Sequence, residues 1–101
     1  MWAQLIKMTV RPEREQDLLG LLEQLHAAEQ PDSGLVRTMA MRDQNDPSKL
    51  YTFVLFESEA KARAREQDPR REEALKSVRA AMAEMIDGSP EFINLTVVLD
   101  A

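Results

Sequence analysis

Few side chains in this chain of 101 residues are suited to acid–base or metal chemistry. His26 is the only histidine, and histidine is the only residue type whose unperturbed pKa lies near neutrality. The absence of cysteine excludes thiolate nucleophiles, disulfides and cysteine-bound zinc. With three glycines, the sequence shows no phosphate-binding loop or nucleophile elbow. We therefore expect no structural metal site.

The charge balance argues against nucleic acid as a partner. Thirteen lysines and arginines stand against 18 aspartates and glutamates, which gives a formal net charge of −5. Nucleic-acid binding depends mainly on basic side chains that contact phosphates. One basic cluster is present, formed by Arg63, Arg65, Arg70 and Arg71, but acidic residues are interleaved with it. We interpret this cluster as a solvated, mixed-charge helical surface.

No targeting or membrane segment is expected. The first seven residues lack a basic region followed by a sustained apolar run, so they do not resemble a secretory signal. No stretch approaches the roughly 18 apolar residues of a membrane span. Together with the absence of cysteine, these features predict a cytoplasmic protein with no membrane partner.

The hydrophobic pattern predicts four strands and two main helical regions in the order β-α-β-β-α-β. Apolar and β-branched runs predict the strands, and leucines, valine and methionines at helical spacing predict the helices. The predicted strands are Trp2–Val10, Leu35–Arg42, Leu50–Phe56 and Phe92–Leu99; the predicted helices are Glu13–Glu29, a shallow segment Glu59–Asp68, and a run from Pro69 that ends before Gly88. This order predicts an α+β, ferredoxin-like domain over residues 1–101, with a four-stranded antiparallel sheet and helices on one face.

The strands are apolar on both faces, which indicates a partner. In the third strand, alternate residues form the sets Thr52, Val54, Phe56 and Tyr51, Phe53, Leu55, and both sets are mainly apolar. Helices can cover only one face of such a sheet, so the other must be buried elsewhere. A second copy of the chain needs only one self-complementary patch. We therefore predict a homodimer in which two sheets pack face to face.

Several short motifs resemble one known family. They are the turn Pro31–Leu35, the Asp46-Pro47 turn, and the strand-to-helix run Phe53–Ala60 followed by Asp68-Pro69. With the order of elements, they make the chain similar to the antibiotic biosynthesis monooxygenase domain family. The resemblance implies a dimeric α+β barrel and the oxygenation of an electron-rich phenol or hydroquinone without a protein-bound metal or flavin. Such a protein would exclude water, stabilise the substrate anion and place dioxygen beside the reacting carbon.

The resemblance also implies site residues. Family members often carry a tryptophan near the end of the third strand and an asparagine four residues before it; here these positions are Phe56 and Thr52. Phe56 retains an aromatic surface that can stack on a flat ligand, and Thr52 retains one hydroxyl donor. The haem-degrading relatives are expected to carry a helical histidine where this chain has Arg65 and Glu66, which disfavours that activity.

We thus predict a pocket between the sheet and the helices that takes a small hydrophobic or aromatic molecule. The candidates for polarising or deprotonating a substrate hydroxyl are Thr52, His26 and Gln4. The predicted substrate-binding residues are Phe56, Val54, Ile6, Leu22, Val78 and Met82. Two alternatives remain open: a non-catalytic dimer of the same fold that binds a hydrophobic metabolite, with a stress-related or accessory role, and a small-molecule isomerase or cyclase.

Overall fold

The computed structural model describes residues 1–101, which form a four-stranded antiparallel sheet with helices on one face. The strands are β1 (Trp2–Thr9), β2 (Leu35–Arg42), β3 (Lys49–Phe56) and β4 (Glu91–Thr96), and the helices are α1 (Leu18–Ala27), α2 (Glu59–Glu66) and α3 (Pro69–Met85). The strand order is β2-β3-β1-β4, so the two central strands are not consecutive in the chain. This arrangement confirms the predicted ferredoxin-like fold. None of the helices is both long and apolar enough to cross a membrane.

Local chemistry explains where the helices begin. The predicted helix from Glu13 begins instead as a 3-10 helix, Pro12–Asp17, which buries none of its side chains. The α-helix starts only at Leu18, where apolar residues first face the core. Ser58 and Asp68 cap α2 and α3 by accepting hydrogen bonds from the backbone N–H groups of Lys61 and Arg70.

Two strands differ from the predicted pattern. β4 ends at Thr96 rather than at Leu99, and the last apolar residues, Val98 and Leu99, are almost fully exposed. In β2 the register shifts between Leu35 and Arg37, so Val36 is an extra residue in a β-bulge. Strict alternation had grouped Leu35 with Arg37, but the bulge places Leu35 opposite Phe56, on the helix side of the sheet.

The core under the helices consists of two separate clusters. The large cluster lies where α1 and α3 cover β1 and β3, and its members are Met8, Val10, Leu18, Leu21, Ala28, Leu50, Leu75, Val78, Met85 and Ile86. The small cluster contains Trp2, Val54, Phe56 and Ala62. Ile6 is the one partly buried residue that packs against both. The boundary between the clusters therefore crosses the middle of β1 and β3.

Candidate functional site

Strand pairing brings five predicted site residues onto one face of the two central strands. In the antiparallel pair of β1 and β3, Gln4 lies opposite Val54 and Ile6 lies opposite Thr52. Phe56 is two residues further along β3, on the same face. All five share the helix side of the sheet, although Gln4 is only partly buried.

Thr52 is the most unusual of these residues. It is the only polar residue among the 16 buried ones, with 8% of its surface exposed. Its hydroxyl oxygen is buried and has no hydrogen-bond partner. On the helix side of β3, Thr52 lies between Leu50 of the large cluster and Val54 of the small cluster, so the unpaired hydroxyl lies at the boundary between them. A buried hydroxyl without a partner destabilises a fold by roughly 1–3 kcal/mol, and this is why such a group calls for an explanation.

The helix side of β4 is left uncovered at the edge of the sheet, separated from Thr52 by β1. Phe92 lies opposite Ile6 and is 57% exposed, and Asn94 lies opposite Gln4. The Gln4 side-chain amide donates a hydrogen bond of 3.0 Å to Oδ1 of Asn94. We call these residues, Gln4, Phe92, Asn94 and Thr96, the β4 shelf. It combines an exposed aromatic ring with paired amides at the edge of the sheet.

Sequence reasoning missed Phe92 and Asn94 as site residues. Their alternation with Ile93 and Leu95 was visible in the sequence, but alternation alone does not reveal which strand lies next to β4. The pairing of β4 with β1 is what places Asn94 beside Gln4.

Two aromatic rings close the other end of the face. The rings of Trp2 and Phe56 are 6.0 Å apart and tilted by 46°. From α2, the guanidinium of Arg63 lies 5.2 Å from the centre of the Trp2 ring, and that of Arg65 lies 5.1 Å from the centre of the Phe56 ring. These are cation–π distances. Phe56 is therefore held between an indole and a guanidinium and is 3% exposed.

Arg65 is fixed in turn by Glu29, which follows α1. The Arg65 guanidinium donates hydrogen bonds to both carboxylate oxygens of Glu29, with nitrogen–oxygen distances of 2.6–3.0 Å. The side chains are 19% and 12% exposed, so the basic cluster is not wholly solvated as predicted. Burial opposes ionisation of Glu29, but hydrogen bonds from Arg65 and Ser33 and the charges of Arg65 and Arg71 outweigh it and lower the pKa of the carboxyl.

The remaining predicted residues lie elsewhere. Val78 belongs to the large cluster, and Leu22 and Met82 pack against it. His26 is exposed and lines a cleft of about 340 Å³ beside β2, together with Leu35 and Thr38. A smaller cleft of about 170 Å³, beside α2, is lined mainly by charged groups. No group of three or more histidine, cysteine, aspartate or glutamate side chains is arranged to hold a metal ion.

Comparisons with known proteins agree with this architecture. The family model described as antibiotic biosynthesis monooxygenase matches residues 1–77. No curated protein sequence matches the chain. Among solved structures, an antibiotic biosynthesis monooxygenase superposes with a TM-score of 0.74 at 13% identity, over 98% of this chain and all of the other.

Two further structures show the range of proteins with this fold. A variant of SnoaB from Streptomyces nogalater, described as a cofactor-independent oxygenase, gives a TM-score of 0.77 at 13% identity, over 98% of this chain and 94% of that one. A protein of unknown function from Nitrosomonas europaea gives 0.75 at 20% identity, over 99% and 91%. At these identities the likeness shows the fold alone.

The sheet order, with the helices over one face, defines a ferredoxin-like α+β domain. Since the family model matches three quarters of the residues, the chain belongs to the antibiotic biosynthesis monooxygenase family.

Proposed function

We propose that this protein is a cofactor-independent monooxygenase that acts on a phenolic or hydroquinone-type aromatic substrate. The observation that carries the proposal is the Thr52 hydroxyl, which is buried without a partner on the sheet face beneath the helices. A ligand hydroxyl or oxyanion would supply the missing hydrogen bond. Family membership and the likeness to SnoaB support the reaction class.

The substrate itself supplies the electrons for this reaction. A deprotonated polycyclic phenol donates an electron to dioxygen, and the resulting radicals combine at an activated ring carbon. At a CH₂ carbon, loss of water from the peroxide leaves a carbonyl, so that R₂CH₂ + O₂ gives R₂CO + H₂O. The protein's part is to stabilise the anion, exclude water and orient the ring.

The roles of the residues follow from their places. Thr52 donates its hydroxyl proton to the substrate oxygen, and Phe56 and Ile6 hold the edge of the ring. The ligand enters over the β4 shelf, where Phe92 offers an exposed stacking surface and the Gln4–Asn94 pair offers polar contacts. His26 lines the separate cleft beside β2 and has no role in this arrangement.

Oxygen uptake by the purified, metal-free protein tests the proposal. We expect uptake with members of a panel of naphthohydroquinones and anthrones. Thr52→Val removes only the hydroxyl and should lower the rate at least tenfold, because one transition-state hydrogen bond is lost. Thr38→Val is the matched control, since Thr38 lies on the same face but is exposed on the edge strand β2. No uptake with any substrate, or equal rates in both variants, would contradict the proposal.

Phe56→Ala probes the aromatic contact. We expect loss of turnover, because both the ring and the position of Arg65 over it are lost. Phe56→Leu keeps most of the volume and separates packing from aromatic stacking. Undiminished uptake by Phe56→Ala would show that the substrate binds elsewhere.

A second candidate function is non-catalytic binding of a hydrophobic metabolite. The tight enclosure of Phe56 between Trp2 and Arg65 favours it, because no open ring surface at that end awaits a substrate. Under this alternative, naphthols bind at the β4 shelf but no oxygen is consumed. Binding measured by tryptophan fluorescence alongside oxygen uptake separates the two functions.

We also propose that the protein is a homodimer and that it is cytoplasmic. The open sheet face carries Leu5, Phe53, Leu55, Ile93 and Leu95, an apolar surface that no helix of the chain covers. Phe53→Glu, at the centre of this face, should shift the sedimentation coefficient to that of a monomer. Leu19→Glu, on an exposed position of α1, should not. A wild-type monomer at micromolar concentration would refute the dimer.

A further inference from the structure

The aromatic end of the candidate site is closed in this structure. Phe56 is 3% exposed, because the Trp2 ring and the Arg65 guanidinium enclose it. The Thr52 hydroxyl oxygen is buried as well. A ligand on the β4 shelf lies beside Trp2, since Thr96 of the shelf is opposite Trp2 in the β1–β4 pair, but it does not reach the enclosed ring. Part of the chain must therefore move before a ligand can stack on Phe56.

The helix α2 is the one least anchored by apolar packing. It buries only Ala62, whereas α1 buries two side chains and α3 buries three. It nevertheless lies over the aromatic rings, because Ala62 belongs to the small cluster and arginines of α2 stack on both rings. Local opening costs least where little apolar surface is buried. We therefore expect α2 to move while the large cluster stays intact.

One ion pair ties α2 to a distant part of the chain. Arg65 donates to both carboxylate oxygens of Glu29, which follows α1. The other side-chain hydrogen bonds of α2 stay within the helix or reach only the two residues before it. The N-terminal end is held separately, since the N–H group of Glu57 donates to the carbonyl oxygen of Gly34 at 2.9 Å. Loss of the ion pair would thus free the end of α2 that covers Phe56.

We propose that α2 is a lid over the aromatic end of the site, and that the ion pair between Arg65 and Glu29 is the latch that keeps it closed. The inference rests on the proposed function, since it describes how a ligand gains access to the same site. When the pair separates, Arg65 leaves the Phe56 ring and a ligand on the β4 shelf can take its place. Only molecules with an open lid bind the ligand, so the closed latch lowers the apparent affinity.

A weakened latch tests the inference through Trp2, the only tryptophan, which lies under α2 beside Phe56. The probe is 4-nitroanisole, a flat neutral molecule that quenches indole fluorescence and does not react with dioxygen. Glu29→Gln replaces the charged pair with a neutral contact, so we expect the probe to bind roughly tenfold more tightly and acrylamide to quench Trp2 more strongly. Glu57→Gln, which removes the exposed pair with Lys61 at the other end of α2, should change neither. A purely structural role of the ion pair would leave the affinity unchanged or lower it.

A reversible cross-link tests the closed state. Because the chain has no cysteine, Glu29→Cys and Arg65→Cys can be combined and joined by a bis-methanethiosulfonate linker about as long as the two side chains it replaces. We expect the linked protein to lose binding of 4-nitroanisole and a thiol reductant to restore it. Arg65→Cys alone, treated in the same way, should bind before and after reduction. Binding that persists in the linked protein, equal affinities in Glu29→Gln and wild type, or binding in no variant would overturn the inference.

The outcome is distinguishable from that of the proposed function. Probe binding that the cross-link abolishes, without oxygen uptake on any substrate, would retain the lid and refute the oxygenase. Oxygen uptake that continues undiminished in the linked protein would retain the oxygenase and refute the lid.

Discussion

The two core clusters differ in what holds them together. The large cluster contains ten buried side chains, none of them aromatic, mainly from β1, β3, α1 and α3. The small cluster has four members, and α2, which covers it, buries only Ala62. At this end the helix is held by Arg63 over Trp2, by Arg65 over Phe56, and by the Arg65–Glu29 ion pair.

The two clusters therefore contribute differently to the fold. Burial of apolar surface stabilises the large cluster without directional constraints, whereas cation–π and ionic contacts fix particular rings and guanidinium groups in place. The buried hydroxyl of Thr52, which has no partner, lies between the two clusters on β3. Unsatisfied groups of this kind are expected where a protein gives up stability for ligand binding.

The largest effect should come from truncation in the large cluster. Leu75 is 2% exposed, so Leu75→Ala removes packing contacts and leaves a cavity. We expect the free energy of unfolding to fall by roughly 2–5 kcal/mol, measured by urea denaturation. Leu19→Ala is the control, because Leu19 is exposed on α1 and should change stability by about 0.5 kcal/mol at most. Similar losses in the two variants would contradict the assignment of stability to this cluster.

A smaller loss is expected at the small cluster. Arg65→Met keeps the length of the side chain but leaves the Glu29 carboxylate unpaired in a largely buried place. We expect a loss of about 2 kcal/mol, less than for a fully buried pair because both side chains retain some contact with water. Arg63→Met is the matched variant, since its ion pairs are exposed, and it should lose no more than about 1 kcal/mol. Equal losses would show that the ion pair with Glu29 is not what holds α2.

Acidic pH should weaken the ion pair between Arg65 and Glu29. The pKa of Glu29 in the folded protein lies below its ordinary value of 4.5, so its stabilising contribution is complete above that pH and is lost as the pH falls through the folded value. In Glu29→Gln this dependence is absent. The difference in unfolding free energy between wild type and Glu29→Gln should therefore be constant near neutrality and shrink below about pH 4.5. Glu66→Gln, at an exposed ion pair, should show little change. If the difference in unfolding free energy between wild type and Glu29→Gln grows on acidification, the pKa of Glu29 is not lowered in the folded protein.

The fold was largely predictable because the hydrophobic periodicity of the sequence indicates the type and order of its strands and helices. The second and third strands and the start of α3 at Pro69 lie where the sequence predicts them, and the order of elements is confirmed. The bulge at Val36 was not predictable, since nothing in the local sequence marks an extra residue. The 3-10 helix before Leu18 was also missed, because composition does not distinguish a 3-10 from an α-helical first turn.

The strand residues of the candidate site were predicted from two strands. Alternation grouped Thr52, Val54 and Phe56, Gln4 and Ile6 were predicted from the first strand, and the β1–β3 pairing brings the two sets together. The shelf residues Phe92 and Asn94 depend on the β1–β4 register, which involves residues about 90 positions apart. The partly buried position of Arg65 was hidden by its neighbours, because charge counting averages it with exposed arginines.

The smallest expected effect is a gain in stability, whereas most substitutions destabilise a protein. Thr52→Val replaces a buried, unpaired hydroxyl with a methyl group of similar size in a central strand, where valine is favoured. We expect the free energy of unfolding to rise by about 1 kcal/mol, because the cost of the unsatisfied hydroxyl is removed. Thr38→Val, exposed on β2, should change stability by no more than about 0.5 kcal/mol. If Thr52→Val is instead destabilising, the hydroxyl has a partner in the free protein, and Thr52 then belongs with the residues that stabilise the fold rather than with those that bind a ligand.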